Sequence, residues 1–244
     1  MNTPDSRALT LEANLAAVRD RIAKAAGAAV PTLIVVTKFH PAADVRRLRQ
    51  LGVADVGENR DQEAAAKAHD VADPALRWHF IGQLQKNKAK SVVHYAHSVH
   101  SIDRSSLVGA LGRAMAAQQD LNGRAALECF IQVDLSGDAD PAGVSGEPGA
   151  RGGAAPSDVG MLADLVAGAA GLKLAGVMAV APLDAEPSAA FERLAEISAA
   201  LVHNHPGAAA ISAGMSHDLE AAIRAGATHL RVGSDILGPR PAVG

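Results

Sequence analysis

Leu33-Ile34-Val35-Val36-Thr37-Lys38 is the stretch on which the reading of this chain turns. Its four apolar residues show no polar alternation and are mostly β-branched, which describes a strand buried on both faces. The run ends in a polar pair, so Lys38 stands just past the strand's C-terminal end. Before it, Leu9, Leu11, Leu15, Val18 and Ile22 recur at nearly helical spacing and predict a helix over Ser6–Ala26.

Beyond Lys38, strands and helices alternate to the end of the chain. Helices are expected at Ala42–Leu51, Gln62–His69, Lys86–Ser91, Ser105–Gln119, Ser157–Ala169, Ser188–Val202 and His217–Ala225. Strands are expected between them at Asp55–Val56, Arg77–Ile81, Ser98–Ile102, Leu127–Val133, Leu174–Met178, Ala209–Ser212 and His229–Val232. With Leu33–Val36 that makes eight strand candidates. The pattern predicts an α/β fold: one (β/α)8 TIM-type barrel over residues 1–244, with an extra N-terminal helix in residues 1–30. An open, doubly wound sheet is the competing arrangement, and periodicity alone leaves it open. Residues 136–156 are rich in Gly, Pro and Ala with no hydrophobic period, and predict a flexible loop after the fifth strand. A tolerated insertion and a flap over the site fit that composition equally.

Composition narrows the function classes. Apolar residues make up 48% of the chain and aromatics only 2%, so the core has to be built from Ala, Val, Leu and Ile. Lys and Arg number 23 against 26 Asp and Glu, which argues against general attraction to nucleic acid or anionic membrane. Any anionic ligand must be held by a local set of donors. Cys129 is the only cysteine, which fits a reducing cytosol and a place in the core. The N-terminal residues lack the pattern of a secretory signal, and the apolar passage Leu165–Leu183 carries Lys173 and Pro182, so a cytoplasmic protein is expected.

Four further segments carry chemistry. At a barrel strand's C-terminal end, the Lys38 amine would enter the mouth where cofactors sit, although a snorkelling lysine is the commoner reason for one there. Ser212-Ala213-Gly214-Met215-Ser216-His217-Asp218 follows the seventh strand, and Arg231-Val232-Gly233-Ser234-Asp235 follows the eighth's start. Turns in these two positions frequently assemble a barrel's phosphate site, with Gly214 allowing close backbone approach and Ser216 expected to cap the next helix. Gly57-Glu58-Asn59 precedes Glu63 by about one helical turn. His79-Phe80-Ile81-Gly82-Gln83-Leu84-Gln85-Lys86-Asn87-Lys88 sets a basic turn after the strand that holds the only Trp.

Taken in order, these segments resemble the pyridoxal phosphate homeostasis proteins (the YggS/PROSC type), and the likeness extends through Ile236-Leu237-Gly238. The resemblance implies a pyridoxal 5'-phosphate cofactor held as a Schiff base on Lys38. It places Arg231 against the pyridine nitrogen and Ser212, Ser216, Gly233 and Ser234 around the phosphate, with Gly214 and Met215 among the cofactor-binding positions. Asn59 and Met178 match positions beside the ring. The chain departs from the family pattern at Gln83, Ala213 and Asp134, and its loop beyond Asp134 is longer, with Arg151 the only base near the family's expected Lys.

The family implies a regulatory protein that buffers or delivers the cofactor to apo-enzymes and is not itself an enzyme. An amino-acid racemase is the alternative, since the barrel is similar to the N-terminal domain of alanine racemase. Two-base racemisation needs a second acid/base, supplied there by a Tyr from an added β-domain. Tyr95, the only tyrosine, reads as part of the fourth strand region, and a monomer is expected because that domain is missing. His94, His97 and His100 fall every third residue, which in a strand sends them to alternating faces and argues against a metal set. His203 and His205 are expected at a helix end, in contact with its dipole.

Overall fold

The computed structural model describes residues 5–27, 29–136, 152–182 and 186–240. Its strands are β1 (Thr32–Val36), β2 (Asp55–Glu58), β3 (Arg77–Phe80), β4 (Ala96–Ile102), β5 (Leu127–Gln132), β6 (Leu172–Met178), β7 (Ala210–Ser212) and β8 (His229–Val232). All pair in parallel and in chain order, and β8 returns to β1, which closes the barrel. The (β/α)8 expectation holds, and closure rules out the open doubly wound sheet.

Helices α1 (Ser6–Ala26), α2 (Ala42–Gln50), α3 (Asp61–Val71), α4 (Ala89–Tyr95), α5 (Ser105–Asn122), α6 (Val159–Ala167), α7 (Pro187–Asn204), α8 (Leu219–Arg224) and α9 (Ser234–Leu237) surround it. The Asp5 carboxylate starts α1 by accepting from the backbone N–H groups of Arg7 and Ala8. One face of α1 buries Leu11, Leu15, Val18 and Ile22. Each such side chain contributes about 1.5–3 kcal/mol relative to leaving it exposed. Leu9 departs from the expected stripe and stays 55% exposed.

The main apolar core lies between the outer faces of the strands and the helices, with Leu48, Val56, Val99, Leu111, Leu162, Leu194 and Leu230 among its members. Cys129 is buried there as expected. The barrel interior differs: a small cluster of Phe130, Ala175 and Met178 shares it with polar side chains. Residues 137–151 of the expected flexible loop lie outside the described residues. Its last part runs beside β5, where Asp134 N–H donates to Ala154 O and Ala154 N–H to Gln132 O.

Three local expectations are corrected. Tyr95 ends α4 and is not in a strand. Ser216 does not cap the helix after β7, because α8 begins at Leu219 with Asp218 at its N-cap position. The alternation argument for the histidines fails as well: His94 lies in α4, and β4 has register shifts against both neighbours. His97 and His100 therefore both pack on the ring of His79, at 5.6 and 5.3 Å between centroids. Among the described residues, no group of three or more His, Cys, Asp or Glu is arranged to hold a metal ion, and no helix is long and apolar enough to cross a membrane.

Candidate cofactor site at the barrel mouth

Parallel strands present all their C-terminal ends on one face, and the candidate residues gather there. Lys38 leaves β1 on a turn and is exposed. That turn is held from beneath. Lys67 on α3 is buried, and its ammonium donates to Glu58 Oε1 at 2.7 Å, Glu63 Oε1 at 2.6 Å and the Thr37 carbonyl at 2.8 Å. Thr37 Oγ1 donates to the same Glu58 oxygen, and Phe39 N–H donates to Glu63 Oε1 at 2.6 Å. Phe39 needs this support because its φ of 69° is strained for a side-chain-bearing residue. Burial pushes the Glu58 carboxyl up, and the charge of Lys67 partly offsets that.

The Phe39 ring stands among cations. Arg240, Arg60 and Lys38 place their charged ends 4.1, 5.4 and 5.9 Å from its centroid. This edge of the mouth is locally positive on a chain whose net charge is −3. Such a concentration favours an anionic ligand.

Arg231 on β8 is buried, and its register partner on β1 is Ile34. Its guanidinium donates to Ser212 Oγ at 2.6 Å and to the Ala179 carbonyl at 2.9 Å, both neutral groups. Burial lowers its pKa to about 10, against the opposing pull of Asp218, so it remains a cation at neutral pH. Ser212 is fully buried and its hydroxyl is committed to Arg231 and His100. Met178 pairs in register with Ser212 and packs on Phe130 and Ala175.

The turns after β7 and β8 meet. Gly214 has a φ of +89°, and a Cβ there would come within 2.6 Å of Ala222 Cβ. Met215 N–H donates to the Asp218 carboxylate, which closes the first turn. Ser216 Oγ then lies 3.3 Å from Ser234 Oγ across the two turns. Gly233 packs on β1, where a Cβ would stand 3.2 Å from the Val36 carbonyl oxygen, two residues before Lys38. Arg21 of α1 ties the pair together by donating to Glu220, Asp235 and the Ser216 carbonyl.

Asn59 follows β2 and carries a buried Oδ1 without a hydrogen-bond partner. Gln83, one of the departures from the family pattern, donates to Gln132, which donates to the Gly152 carbonyl. The structure therefore brings Lys38, Asn59, Met178, Ser212, Gly214, Met215, Ser216, Arg231, Gly233 and Ser234 to one end of the barrel. It adds Lys67, Glu63, Thr37 and Arg21 as supports, and His100 behind Ser212. A lysine four residues after Glu63 on a predicted helix was the available signal for Lys67.

The profile of the family described as "Alanine racemase, N-terminal domain" matches residues 10–241. A pyridoxal phosphate homeostasis protein of Corynebacterium glutamicum is 42% identical over 86% of this chain and 90% of its own length. The chain belongs to the pyridoxal phosphate homeostasis protein family. The Escherichia coli relative of that name is 32% identical over 93% of this chain and 95% of its own. Among solved structures, PipY of Synechococcus elongatus with PLP bound superposes with a TM-score of 0.76, at 30% identity over 93% of this chain and 100% of that one. Alanine racemase of C. glutamicum shares the fold, with a TM-score of 0.66 over 94% of this chain and 60% of its own, at 13% identity.

Proposed function

We propose that this homeostasis-family protein binds pyridoxal 5'-phosphate at the barrel mouth, covalently at the Lys38 amine, and acts as a cytoplasmic reservoir that supplies apo-enzymes. The observation that carries the reading is Arg231, a buried cation with neutral hydrogen-bond partners at the base of the mouth. The unpartnered Asn59 Oδ1 and the cationic edge around Phe39 fit the same ligand. When bound, the cofactor supplies an aldehyde that captures an amine and a ring that draws electrons from it.

Each residue has a role in this reading. Lys38 offers its amine from a turn whose backbone is fixed by Lys67 and Glu63. Arg231 faces the ring nitrogen, and its positive charge keeps that nitrogen unprotonated. An unprotonated ring is a weaker electron sink. Gly214, Met215, Ser216, Gly233 and Ser234 bind the phosphate through hydroxyl and backbone donors. Ser212, expected at the phosphate, commits its hydroxyl to Arg231 and His100 and orients the guanidinium instead, and Asn59 and Met178 border the ring.

Racemisation is the less favoured reading because Tyr95 is placed wrongly for a second base. It lines an outer groove with Leu76 and Trp78, it sits 3.3 Å from Asp61 Oδ1, and burial pushes its phenol well above the usual range. The test is an absorption spectrum of the protein with and without added pyridoxal phosphate, then borohydride reduction and peptide mass analysis. A visible-edge band, lost in Lys38→Ala, with the added mass on the Lys38 peptide, is expected. A protein that stays colourless, or a label on another lysine, overturns the site. Turnover of amino acids that depends on Lys38 overturns the reservoir role.

A further inference from the structure

A line of buried polar groups crosses the inside of the barrel from Arg231 to the opposite end. Ser212 Oγ lies 2.9 Å from His100 Nδ1, and His100 Nε2 lies 2.8 Å from Ser98 Oγ. Ser98 Oγ lies 2.7 Å from His79 Nδ1, and His79 Nε2 lies 2.8 Å from Asp55 Oδ1. Asp55 is the first residue of β2, and its carboxylate takes two bonds from Arg77 at 2.6 Å each. The link between His100 on β4 and Ser212 on β7 joins strands that are not neighbours, so it spans the lumen. Ser98, His100 and Ser212 are wholly buried, and His79, Arg231 and Asp55 are 3, 4 and 5% exposed.

With both imidazoles in their neutral form, the chemistry of the two ends dictates the direction of every bond between them. A guanidinium can only donate, and an ionised carboxylate can only accept. Burial alone would raise the Asp55 pKa, but bonds from His79 and Arg77 outweigh it and hold the group well below the usual range, hence ionised. His79 must therefore carry its proton on Nε2. In the neutral ring Nδ1 is then bare, and it accepts from Ser98 O–H. With that hydroxyl proton used, His100 Nε2 must donate to Ser98 Oγ. A bare Nε2 would oppose lone pairs on Ser98 and on His79 Nδ1, which is only 3.2 Å away. His100 Nδ1 is then bare and accepts from Ser212 O–H, while Ser212 Oγ accepts from Arg231. Burial keeps His100 neutral. Its ring stacks on Phe130 with centroids 4.2 Å apart.

We propose that Ser212, His100, Ser98 and His79 form a one-way hydrogen-bonded column, anchored by Asp55, that orients Arg231 toward the ligand at the mouth. His100 and Asp55 are thus positioning residues that act through Arg231. The ligand-facing part rests on pyridoxal phosphate being that ligand; the column itself does not. One residue at the far end of the barrel would then alter the cofactor's surroundings without touching it. In Asp55→Asn the amide can donate to His79 Nε2, which removes the lock and lets every bond up to Ser212 reverse.

The test begins on protein freed of cofactor, with imidazole nitrogens read by long-range proton–nitrogen NMR at mildly alkaline pH. Both His79 and His100 are expected as Nε2–H forms, and His100 is expected to gain Nδ1–H character in Asp55→Asn. His100 found in the Nδ1–H form in the unaltered protein overturns the column, whether or not pyridoxal phosphate binds. The second arm measures cofactor affinity and absorption maximum. His100→Leu strips Ser212 of its acceptor, and affinity is expected to fall about tenfold with a shifted maximum. His100→Asn keeps an acceptor near the Nδ1 position and is expected to restore both while abolishing the effect of Asp55→Asn. An unmoved maximum in His100→Leu with affinity retained overturns the link to Arg231.

Discussion

Replacing Lys67 by Met should destabilise the protein by stranding a buried carboxylate, and the reason can be worked bond by bond. The ammonium is buried and holds three acceptors, two of them carboxylate oxygens. Met nearly preserves the volume of the aliphatic stem, so little packing is lost. What remains is Glu58, which is 1% exposed and keeps only the Thr37 hydroxyl as a partner. Stranding one member of a buried ion pair costs about 3–5 kcal/mol. Glu63 is 24% exposed in its side chain and can turn to water, so its share is small. A loss of about 3 kcal/mol is expected, measured as the change in urea unfolding free energy. Glu58→Gln added to Lys67→Met removes the stranded charge and should recover about half of the loss. Cofactor affinity should stay reduced in the double variant, because the Thr37 carbonyl and the Glu63 bond to Phe39 are still unsupported. A Lys67→Met loss under about 1 kcal/mol, or no recovery in the double variant, would refute the reasoning.

Three further outcomes are expected. Burial holds His100 below the usual imidazole range and His229 at about 4. The unfolded chain therefore takes up those protons first, so stability is full above about pH 6.5 and declines as pH falls toward 4. Urea midpoints should be level through neutral pH and lower in acid, with the slope reduced in His229→Gln; a flat profile contradicts this. Arg21→Ala should leave the barrel folded by circular dichroism yet weaken pyridoxal phosphate binding by roughly tenfold, since both phosphate turns lose their common anchor. An unchanged dissociation constant would show that the turns hold themselves. Gly214→Ala should cost about 1–3 kcal/mol through its left-handed backbone and its clash with Ala222, read from the thermal midpoint.

Much of the architecture was legible in the residues themselves. Leu33–Val36 and its counterparts declare strands buried on both faces, and Leu11, Leu15, Val18 and Ile22 declare the buried side of α1. These are local properties, because a side chain's direction follows from the backbone period alone. The positions of Lys38, Arg231 and the turns after β7 and β8 follow from the strand count, since in a parallel barrel the C-terminal end of each strand faces one mouth.

Closure of the sheet, the role of Lys67 and the column from Arg231 to Asp55 were decided only by the tertiary structure. Nothing in one dimension ties His79 or Ser98 to Ser212. The spacing of His97 and His100 even points away from their shared contact with His79, because register shifts in β4 undo simple alternation. Hydrogen bonds across a lumen join strands far apart in the chain, and no local pattern records which polar side chains will meet there. Periodicity reports which way a residue faces, and only closure of the barrel determines what it faces.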